Sequence, residues 1–301
     1  MSYEQFLKLD KKTKYKVFID SDLNPKGSLT YAELIIPGEN EEELFFSSYI
    51  CHPQMCNNEL SGPVLLTQLA KFVLDLKERR YTYRFIIIPE TIGSITYLSK
   101  NLKHMKKKVF GGYNLTCVGD ERVYSYIPSR LGNNISDRVA KYALSNFTDG
   151  FIEYSWLDRG SDERQYCAPG VDLPICSITR SKYHAYPEYH TSLDNFDVVT
   201  KKGLEQSFSL YSKIIHIFEK NIKPKIKVLG EPQLGKRGLY LNLSKKDTPS
   251  RIQDRDLKNF ISYCDGNHSV LDITEILGLH FDECLVLLNI LQDNNLLRSE
   301  T

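Results

Sequence analysis

The fold is decided by the stretch Cys51-His52-Pro53-Gln54-Met55-Cys56-Asn57-Asn58-Glu59-Leu60-Ser61-Gly62. The apolar run Glu43–Ile50 precedes it, and Ser61–Arg79 follows it with apolar residues at helical spacing. This order of strand, polar loop and helix is typical of an α/β sheet. In such sheets the crevice at the carboxyl ends of the strands binds ligands, and a helix start offers free N–H groups. We therefore expect His52 and Glu59 to lie at a functional site.

Strands and helices are predicted to alternate around this stretch. Tyr83–Ile88 is nearly all apolar, which predicts a strand buried on both faces of a sheet with parallel character. Upstream, Lys14–Ile19 and Leu29–Ile36 predict a hairpin around Asn24-Pro25-Lys26-Gly27. The alternation predicts an open, three-layer α/β domain. The remaining strands are predicted at Val109–Val118 and Leu173–Thr179, and the helices at Ile92–Lys103, Asp137–Ser145 and Thr200–Lys220.

A second, smaller domain is predicted at the C-terminal end. We place the boundary between residues 1–225 and 226–301, because Lys223–Lys246 carries the Pro and Gly residues of a linker or small β element. Three helical stretches follow, and the short break at Gly278-Leu279 suits a helix-turn-helix or winged-helix module. They are Asp254–Tyr263, Val270–Leu277 and Phe281–Leu291.

The charge of this module argues against nucleic acid as a partner. Residues 251–301 contain four Lys and Arg residues against nine Asp and Glu residues, a net charge of −5 that opposes phosphate binding. We expect packing or protein contacts instead, including homo-oligomer formation through this module. A transcription factor with an effector domain is an alternative that the acidic charge disfavours.

Composition describes a folded protein without a strong overall field. The 301 residues are 41% hydrophobic, with 39 basic and 38 acidic residues. No apolar run reaches the roughly 20 residues that span a bilayer, and the first residues lack a signal-peptide pattern. We expect a cytoplasmic protein with no membrane partner. Its seven scattered cysteines form no CxxC pair and are expected to be reduced thiols.

A catalytic zinc ion is the cofactor that the polar stretches favour. Such a site needs about three protein ligands and an open position for water. His52 and His190 are the first two ligand candidates, since both lie in loops that contain acidic residues. Glu59 and Asp162 compete for the third place, and Asp120 is a further candidate.

Glu90 is the candidate general base. It follows a nearly all-apolar strand, where partial burial raises the pKa of a carboxyl group toward the range useful for proton transfer. The alternative is that Glu90 is an acid at the start of the helix near Ile92, where its negative charge interacts favourably with the helix dipole. Cysteine catalysis is not expected, because neighbouring residues of an extended chain, such as Cys51 and His52, point to opposite sides.

Several motifs resemble a bacterial family of zinc aminopeptidase-like proteins with a C-terminal winged helix, labelled polysaccharide biosynthesis proteins with an aminopeptidase-like domain. The family is a distant relative of the co-catalytic zinc aminopeptidases. The resemblance implies an α/β/α zinc-exopeptidase-like domain with a mixed sheet. The matching motifs are Cys51-His52-Pro53, Asn57-Asn58-Glu59-Leu60-Ser61-Gly62, Pro89-Glu90-Thr91-Ile92-Gly93-Ser94, Cys117-Val118-Gly119-Asp120, Arg159-Gly160-Ser161-Asp162-Glu163-Arg164-Gln165-Tyr166 and Glu188-Tyr189-His190-Thr191-Ser192.

The resemblance also implies roles and shows departures from the family pattern. His52 matches the first ligand histidine, His190 the last one, and Glu90 the general base. The departures are Asn58 at the bridging Asp position, Thr91 at the ligand Glu position, and Thr116 nearest the later ligand Asp position, with Asp120 only nearby. Neutral side chains cannot replace the charge that holds two dications together, so one zinc ion, or none, is expected rather than two.

We therefore expect a single-zinc, aminopeptidase-like hydrolase of an amide or peptide-like bond in a small substrate. Glu90 and Glu163 are the candidate catalytic residues. The candidate substrate-binding residues are Asn58, Asp120, Arg164 and Arg180. The alternative is a non-catalytic scaffold or binding protein that keeps the aminopeptidase fold.

Overall fold

The structure is a computed structural model that describes residues 1–52, 54–239 and 252–298. The chain divides into two compact units, Met1–Ile214 and Ile215–Thr301, and the boundary falls inside the helix Lys201–Lys220. No helix in the described ranges is long and apolar enough to cross a membrane. Each unit is described in turn.

The first unit is built on a mixed sheet of seven strands in the order β1-β3-β2-β4-β7-β5-β6. The central strands β3, β2, β4 and β7 are parallel, while β1 runs antiparallel to β3 and β5 antiparallel to β7. The strands are β1 Ala32–Ile36, β2 Glu43–Tyr49, β3 Thr82–Ile88, β4 Val109–Leu115, β5 Tyr124–Ile127, β6 Phe151–Glu153 and β7 Ile175–Thr179. The mixed sheet expected from the sequence is confirmed.

Helices cover both faces of this sheet. The crossover from β2 to β3 contains α2, and the crossover from β3 to β4 contains α3 and runs back past β2. Because parallel crossovers are right-handed, these opposite directions put α2 and α3 on opposite faces. The helices of the unit are α1 Tyr3–Leu7, α2 Ser61–Asp75, α3 Ile92–Lys108, α4 Ile135–Phe147, α5 Glu163–Tyr166 and α6 Lys201–Lys220.

Aromatic residues of neighbouring strands fill the core on each face. Phe46 on β2 stacks with Phe85 on β3, with ring centres 5.3 Å apart. Its neighbour Phe45 points to the other face, where it meets Tyr97 of α3 and Tyr166 of α5. All but Tyr97 are less than 2% exposed, so the alternation of one strand supplies both layers of the core.

Two parts of the strand prediction are wrong. Lys14–Ile19 forms no strand, and β1 pairs with β3 instead of forming the predicted hairpin. β3 is already held in the sheet by its pairing with β2. Its other edge is therefore an ordered partner with which β1 can pair. β5 and β6 were not predicted, since strands of four and three residues carry too little periodicity to be recognised.

The second unit contains the three helices expected for the C-terminal module. They are Asp254–Ser262, Val270–Leu277 and Phe281–Asp293. Ser269 caps the second helix in a capping box with Asp272, and Gly278 ends it with a φ of 65° that glycine adopts without strain. Isolated β-bridges join Lys225 to Asp265 and Ile226 to Leu297. Residues 240–246 of the expected linker, like Pro53, lie outside the described residues.

Gly62 gives a test of how tightly α2 packs on the sheet. A Cβ atom at this position would overlap Ser48 Oγ of β2 and lie 2.5 Å from the carbonyl oxygen of Leu115 on β4. We predict that Gly62→Ala lowers the free energy of unfolding by about 1–3 kcal/mol, measured by urea denaturation. Lys71→Ala on the exposed face of the same helix should change it by no more than about 0.5 kcal/mol. Equal stability of the two variants would contradict the packing described here.

Candidate active site

The candidate site lies where three parallel strands end. β2 leads into Cys51 and His52, β3 into Glu90, and β4 into Thr116. The carboxyl ends of parallel strands meet at one edge of a sheet, which brings these segments together. Two contacts show this directly: the Glu90 N–H donates to Cys51 Sγ at 3.4 Å, and the Tyr49 hydroxyl lies 2.7 Å from Thr116 Oγ1.

A buried turn of π-helix, Cys56–Leu60, forms the floor of the site. Two backbone N–H groups of this turn form hydrogen bonds to a distant loop. The Asp194 carboxylate accepts from the Asn57 N–H at 2.6 Å and from the Asn58 N–H at 3.0 Å. The Tyr186 hydroxyl donates to the same carboxylate. Asp194 is fully buried. It therefore fastens the loop of His190 to the loop of His52.

His52 and His190 lie side by side. Their ring centres are 5.3 Å apart. When two imidazoles bind the same tetrahedral zinc ion, each through one nitrogen with Zn–N of about 2.0–2.1 Å, their ring centres lie roughly 5 Å apart. His52 Nδ1 lies 2.9 Å from Glu59 Oε2, and Glu59 Oε1 accepts from the Cys51 N–H. This pairing leaves Nε2 of His52 for any ligand near His190.

His190 is held in one orientation. Its ring stacks on Tyr189 with centres 4.0 Å apart, and its Nε2 lies 3.5 Å from Asn58 Nδ2. Burial, together with the neighbouring His52 and His184, lowers the pKa of His190 and so favours the neutral imidazole that binds metals.

The backbone around the site is strained. The φ of His190 is 54°, and positive φ values also occur at Thr91, Cys117 and His184. Left-handed backbone at residues other than glycine is uncommon, and such strain gathers at functional sites.

Asp162 offers an open carboxylate oxygen. Its Oδ1 accepts from the Thr91 N–H at 2.8 Å and from Ser94 Oγ at 2.7 Å, but its buried Oδ2 has no hydrogen-bond partner among the described residues. Burial raises the pKa of Asp162 to about 7, against the lowering effect of these two hydrogen bonds. A buried oxygen without a donor is a site that a cation can satisfy.

Glu90 is partly buried beside this carboxylate. Burial raises the pKa of Glu90, while His52, Ser161 and Arg164 lower it less strongly. The result is a carboxyl group whose pKa lies above its ordinary value and next to the histidine pair, as a general base requires.

Arg164 adds a positive charge to this acidic group. Its Nη2 donates to Thr91 Oγ1 at 2.5 Å, and its buried Nε has no partner among the described residues. A guanidinium with an open N–H can bind a substrate carboxylate.

Two other acidic candidates already have their oxygens occupied. Glu163 Oε1 accepts from Gly160 N, Ser161 N and the Tyr183 hydroxyl, and Oε2 from Asn114 Nδ2 and Ser177 Oγ. Asp120 accepts from Asn57 Nδ2, Ser181 N, Ser181 Oγ and Arg122 N. Both are buried. This geometry favours loop-anchoring roles over the catalytic role predicted for Glu163 and the substrate-binding role predicted for Asp120.

The remaining candidates are divided between the site and its surroundings. Asn58 lies in the site, where its Oδ1 accepts from the Tyr49 hydroxyl at 3.2 Å. Arg180 is buried with its guanidinium 4.0 Å from the ring centre of Tyr124. The contacts of Arg180 thus do not bring it to the histidine pair.

The position of the Cys51 side chain contradicts one prediction made from the sequence. Its Sγ lies 3.2 Å from His52 Nδ1, so the expectation that the two side chains diverge is wrong. The strand has ended at Tyr49, and the alternation of an extended chain no longer applies. Burial raises the pKa of the Cys51 thiol to about 11, which still disfavours a thiolate nucleophile.

With this geometry established, comparison with known proteins places the chain in a family. Residues 19–221 match a family described as a domain of unknown function (DUF4910), and residues 221–299 match a winged helix-turn-helix family (HTH_47). The chain belongs to the DUF4910 family. The winged helix that the sequence predicted is confirmed.

Relatives of this DUF4910 protein carry peptidase-related names. A Clostridium acetobutylicum protein, provisionally named a polysaccharide biosynthesis protein with aminopeptidase-like domain, is 40% identical over 273 residues, 89% of this chain and 61% of the relative. A crystal structure from the same organism, titled provisionally as a peptidase, has a TM-score of 0.80 at 35% identity and covers 89% of this chain and 60% of its own. The resemblance stated from the motifs is confirmed, over about three fifths of the relatives' length.

More distant structures show the same fold. The aminopeptidase from Aneurinibacillus sp. strain AM-1 has a TM-score of 0.53 at 16% identity, over 62% of this chain and 47% of its own. Porphyromonas gingivalis glutaminyl cyclase has a TM-score of 0.51 at 14% identity, over 62% of this chain and 77% of its own. The first unit of the DUF4910 protein therefore has an aminopeptidase-like fold.

Several site residues were not predicted from the sequence. Tyr189 stacks on His190, and Tyr186 donates to Asp194, but tyrosines in a loop carry no pattern that predicts either contact. His184 lies in ring contact with Tyr189 and His190. The sequence could have indicated His184, since it is a second histidine in the loop that contains His190.

Asp194 provides a test of the loop connection. We predict that Asp194→Asn lowers the free energy of unfolding by about 1.5–3 kcal/mol, because an amide group loses a charge-assisted hydrogen bond and turns a donor toward an N–H group. Thermal or urea unfolding would measure the change. Asp197→Asn, three residues away and exposed, is the control and should leave stability unchanged. Unchanged stability of Asp194→Asn would show that the carboxylate does not hold the turn.

Proposed function

We propose that this DUF4910 protein is a single-zinc hydrolase that cleaves an amide or peptide-like bond in a small substrate. One observation carries the proposal: two imidazole rings 5.3 Å apart, beside a partly buried glutamate. The aminopeptidase-like fold and the peptidase-related names of the relatives are compatible with it.

His52 and His190 are the proposed histidine ligands, His52 through Nε2. Of the two acids considered for the third place, Glu59 already bonds to His52 Nδ1 and the Cys51 N–H, whereas Asp162 has an open oxygen. This difference favours Asp162 as the ligand and Glu59 as the group that orients His52. Asp162 does not join the one described group of three ligand atoms within 4.8 Å, which is Cys51, His52 and Glu59. A movement of Asp162 or His190 on metal binding is therefore part of the proposal.

The residues around the metal position supply the rest of the chemistry. A bound zinc ion would make a water molecule more acidic and polarise the substrate carbonyl. A carboxylate oxygen of Glu90 takes a proton from the attacking water and returns it to the departing nitrogen. Arg164, with its open Nε, binds a carboxylate of the substrate.

The neighbouring polar groups support one ion rather than two. Asn58 and Thr116 are neutral and hydrogen-bonded to the Tyr49 hydroxyl, and Asp120 is occupied by four donors. Holding two dications a few ångströms apart requires bridging negative charge that these groups do not provide.

A non-catalytic scaffold is the alternative, and no contact among the described site residues favours it. Zinc content separates the two cases, because a scaffold of this kind needs no stoichiometric ion. Assembly through the C-terminal module remains a prediction.

His190→Ala tests the metal site. We predict that protein purified without a histidine tag contains about one zinc per chain and that the variant loses it, because one of about three ligands is gone. Inductively coupled plasma mass spectrometry gives the count. His268→Ala, in the second unit, is the matched control and should keep the ion. Wild-type protein without zinc after zinc-supplemented purification would refute the proposal.

Glu90→Gln tests the general base. We predict that zinc content is retained while turnover of a peptide-like substrate falls about 10²–10⁴-fold, because the amide cannot accept a proton. A base must be deprotonated to act, so wild-type activity should fall as pH drops through the pKa of Glu90, which burial raises above 4.5. That acidic limb should be missing from the residual activity of the variant. Retained turnover would assign the proton transfer to another group.

A further inference from the structure

The two nitrogens of the His52 ring face different groups. Under the proposed function, Nε2 serves the catalytic ion. On the other side, Nδ1 lies 3.2 Å from Cys51 Sγ and 2.9 Å from Glu59 Oε2. The ligand atoms of Cys51, His52 and Glu59 all lie within 4.8 Å of one another.

The chemistry of this group suits a particular class of ion. A thiolate, an imidazole and a carboxylate together favour borderline and soft divalent cations such as Zn²⁺ and Cd²⁺ over Mg²⁺ or Ca²⁺. Ligand atoms about 2.0–2.3 Å from a tetrahedral ion lie roughly 3–4 Å from one another, close to the separations found here. Cys51 is exposed and Glu59 is buried, so the group is open to solvent on its thiol side.

We propose that Cys51, His52 Nδ1 and Glu59 form an inhibitory site for a soft divalent cation, distinct from the proposed catalytic site. A neutral imidazole has one lone pair, and binding through both nitrogens would require the loss of a second proton. An ion on Nδ1 also removes the hydrogen bond between Nδ1 and Glu59 that orients the ring. Occupation of this site therefore withdraws His52 from the catalytic ion.

The proton balance of binding is simple. Before the cation arrives, the Cys51 side chain is a thiol that carries its proton, as an ordinary cysteine does near neutral pH. Cation binding releases that proton to solvent, and the His52 proton moves from Nδ1 to Nε2 as Nδ1 takes the ion. No electron is transferred. Only the inhibitory effect rests on the proposed function, while the existence of the site does not.

Cadmium provides a direct test on the full chain. Metal-free protein is titrated with Cd²⁺, and the ultraviolet charge-transfer band of a thiolate–cadmium bond is recorded. We expect a band that saturates near one equivalent in the wild type and is lost in Cys51→Ser. Cys56→Ser, which removes the half-buried cysteine of the same loop, is the matched control and should keep the band. A band that persists in Cys51→Ser, or no band in the wild type, would overturn the proposal.

Two further measurements keep this result interpretable. Cadmium should protect Cys51 of the wild-type protein from iodoacetamide, as mapped by mass spectrometry, which does not depend on the folding of a variant. His190→Ala should keep the cadmium band, because His190 belongs to the other site; loss of the band would mean that the two sites are one.

Inhibition completes the test. Excess Zn²⁺ or Cd²⁺ should inhibit hydrolysis by the wild type, and Cys51→Ser should require at least about tenfold more ion for the same inhibition. Equal inhibition of both proteins would refute the regulatory role. If the wild type hydrolyses nothing, the proposed function fails, while the cadmium band still decides whether the site exists.

Discussion

The site depends on the hydrogen bonds that the Asp194 carboxylate accepts from backbone N–H groups. Asn57 and Asp194 are 137 positions apart, yet the carboxylate bonds to two consecutive N–H groups of the π-helical turn and to the Tyr186 hydroxyl. Hydrogen bonds to a charged group contribute about 1.5–3 kcal/mol each when their partners are buried. A turn with unsatisfied N–H groups could not remain buried beside the sheet. Through this carboxylate, the fold brings His190 to His52.

The buried carboxylates of the site divide into two kinds. Asp194, Asp120 and Glu163 are surrounded by donors, which satisfies their charge and ties loops together. Asp162 is buried and Glu90 is partly buried, each with fewer compensating contacts, and burial raises the pKa of each. Carboxylates with incomplete hydrogen bonding and raised pKa values are the ones that chemistry can use. Incomplete hydrogen bonding of a carboxylate is therefore a stronger guide to function than the number of acidic residues in the loops.

The sequence predicted the parts of this arrangement that depend on local pattern. The apolar runs of β2 and β3 placed His52 and Glu90 at strand ends, and the structure brings both to one edge of the sheet. It could not predict which carboxylates are already occupied, because the donors to Glu163 include Asn114, Ser177 and Tyr183, which come from three other segments. The hairpin prediction was wrong for the same reason. β1 pairs with β3, some 50 residues away, and not with the preceding segment Lys14–Ile19.

Under the proposed function, Arg164 supplies positive charge to a site that holds a single ion. Thr91 occupies the position at which the likeness to two-zinc aminopeptidases calls for a ligand glutamate, and its hydroxyl accepts from Arg164 Nη2. Arg164 also lowers the pKa of Glu90, as a second cation would. A guanidinium that stays protonated supplies this positive charge permanently, without bridging carboxylates. Under the proposed function, the neutral side chains of Asn58 and Thr91 and the charge of Arg164 are therefore consistent parts of one electrostatic arrangement around a single ion.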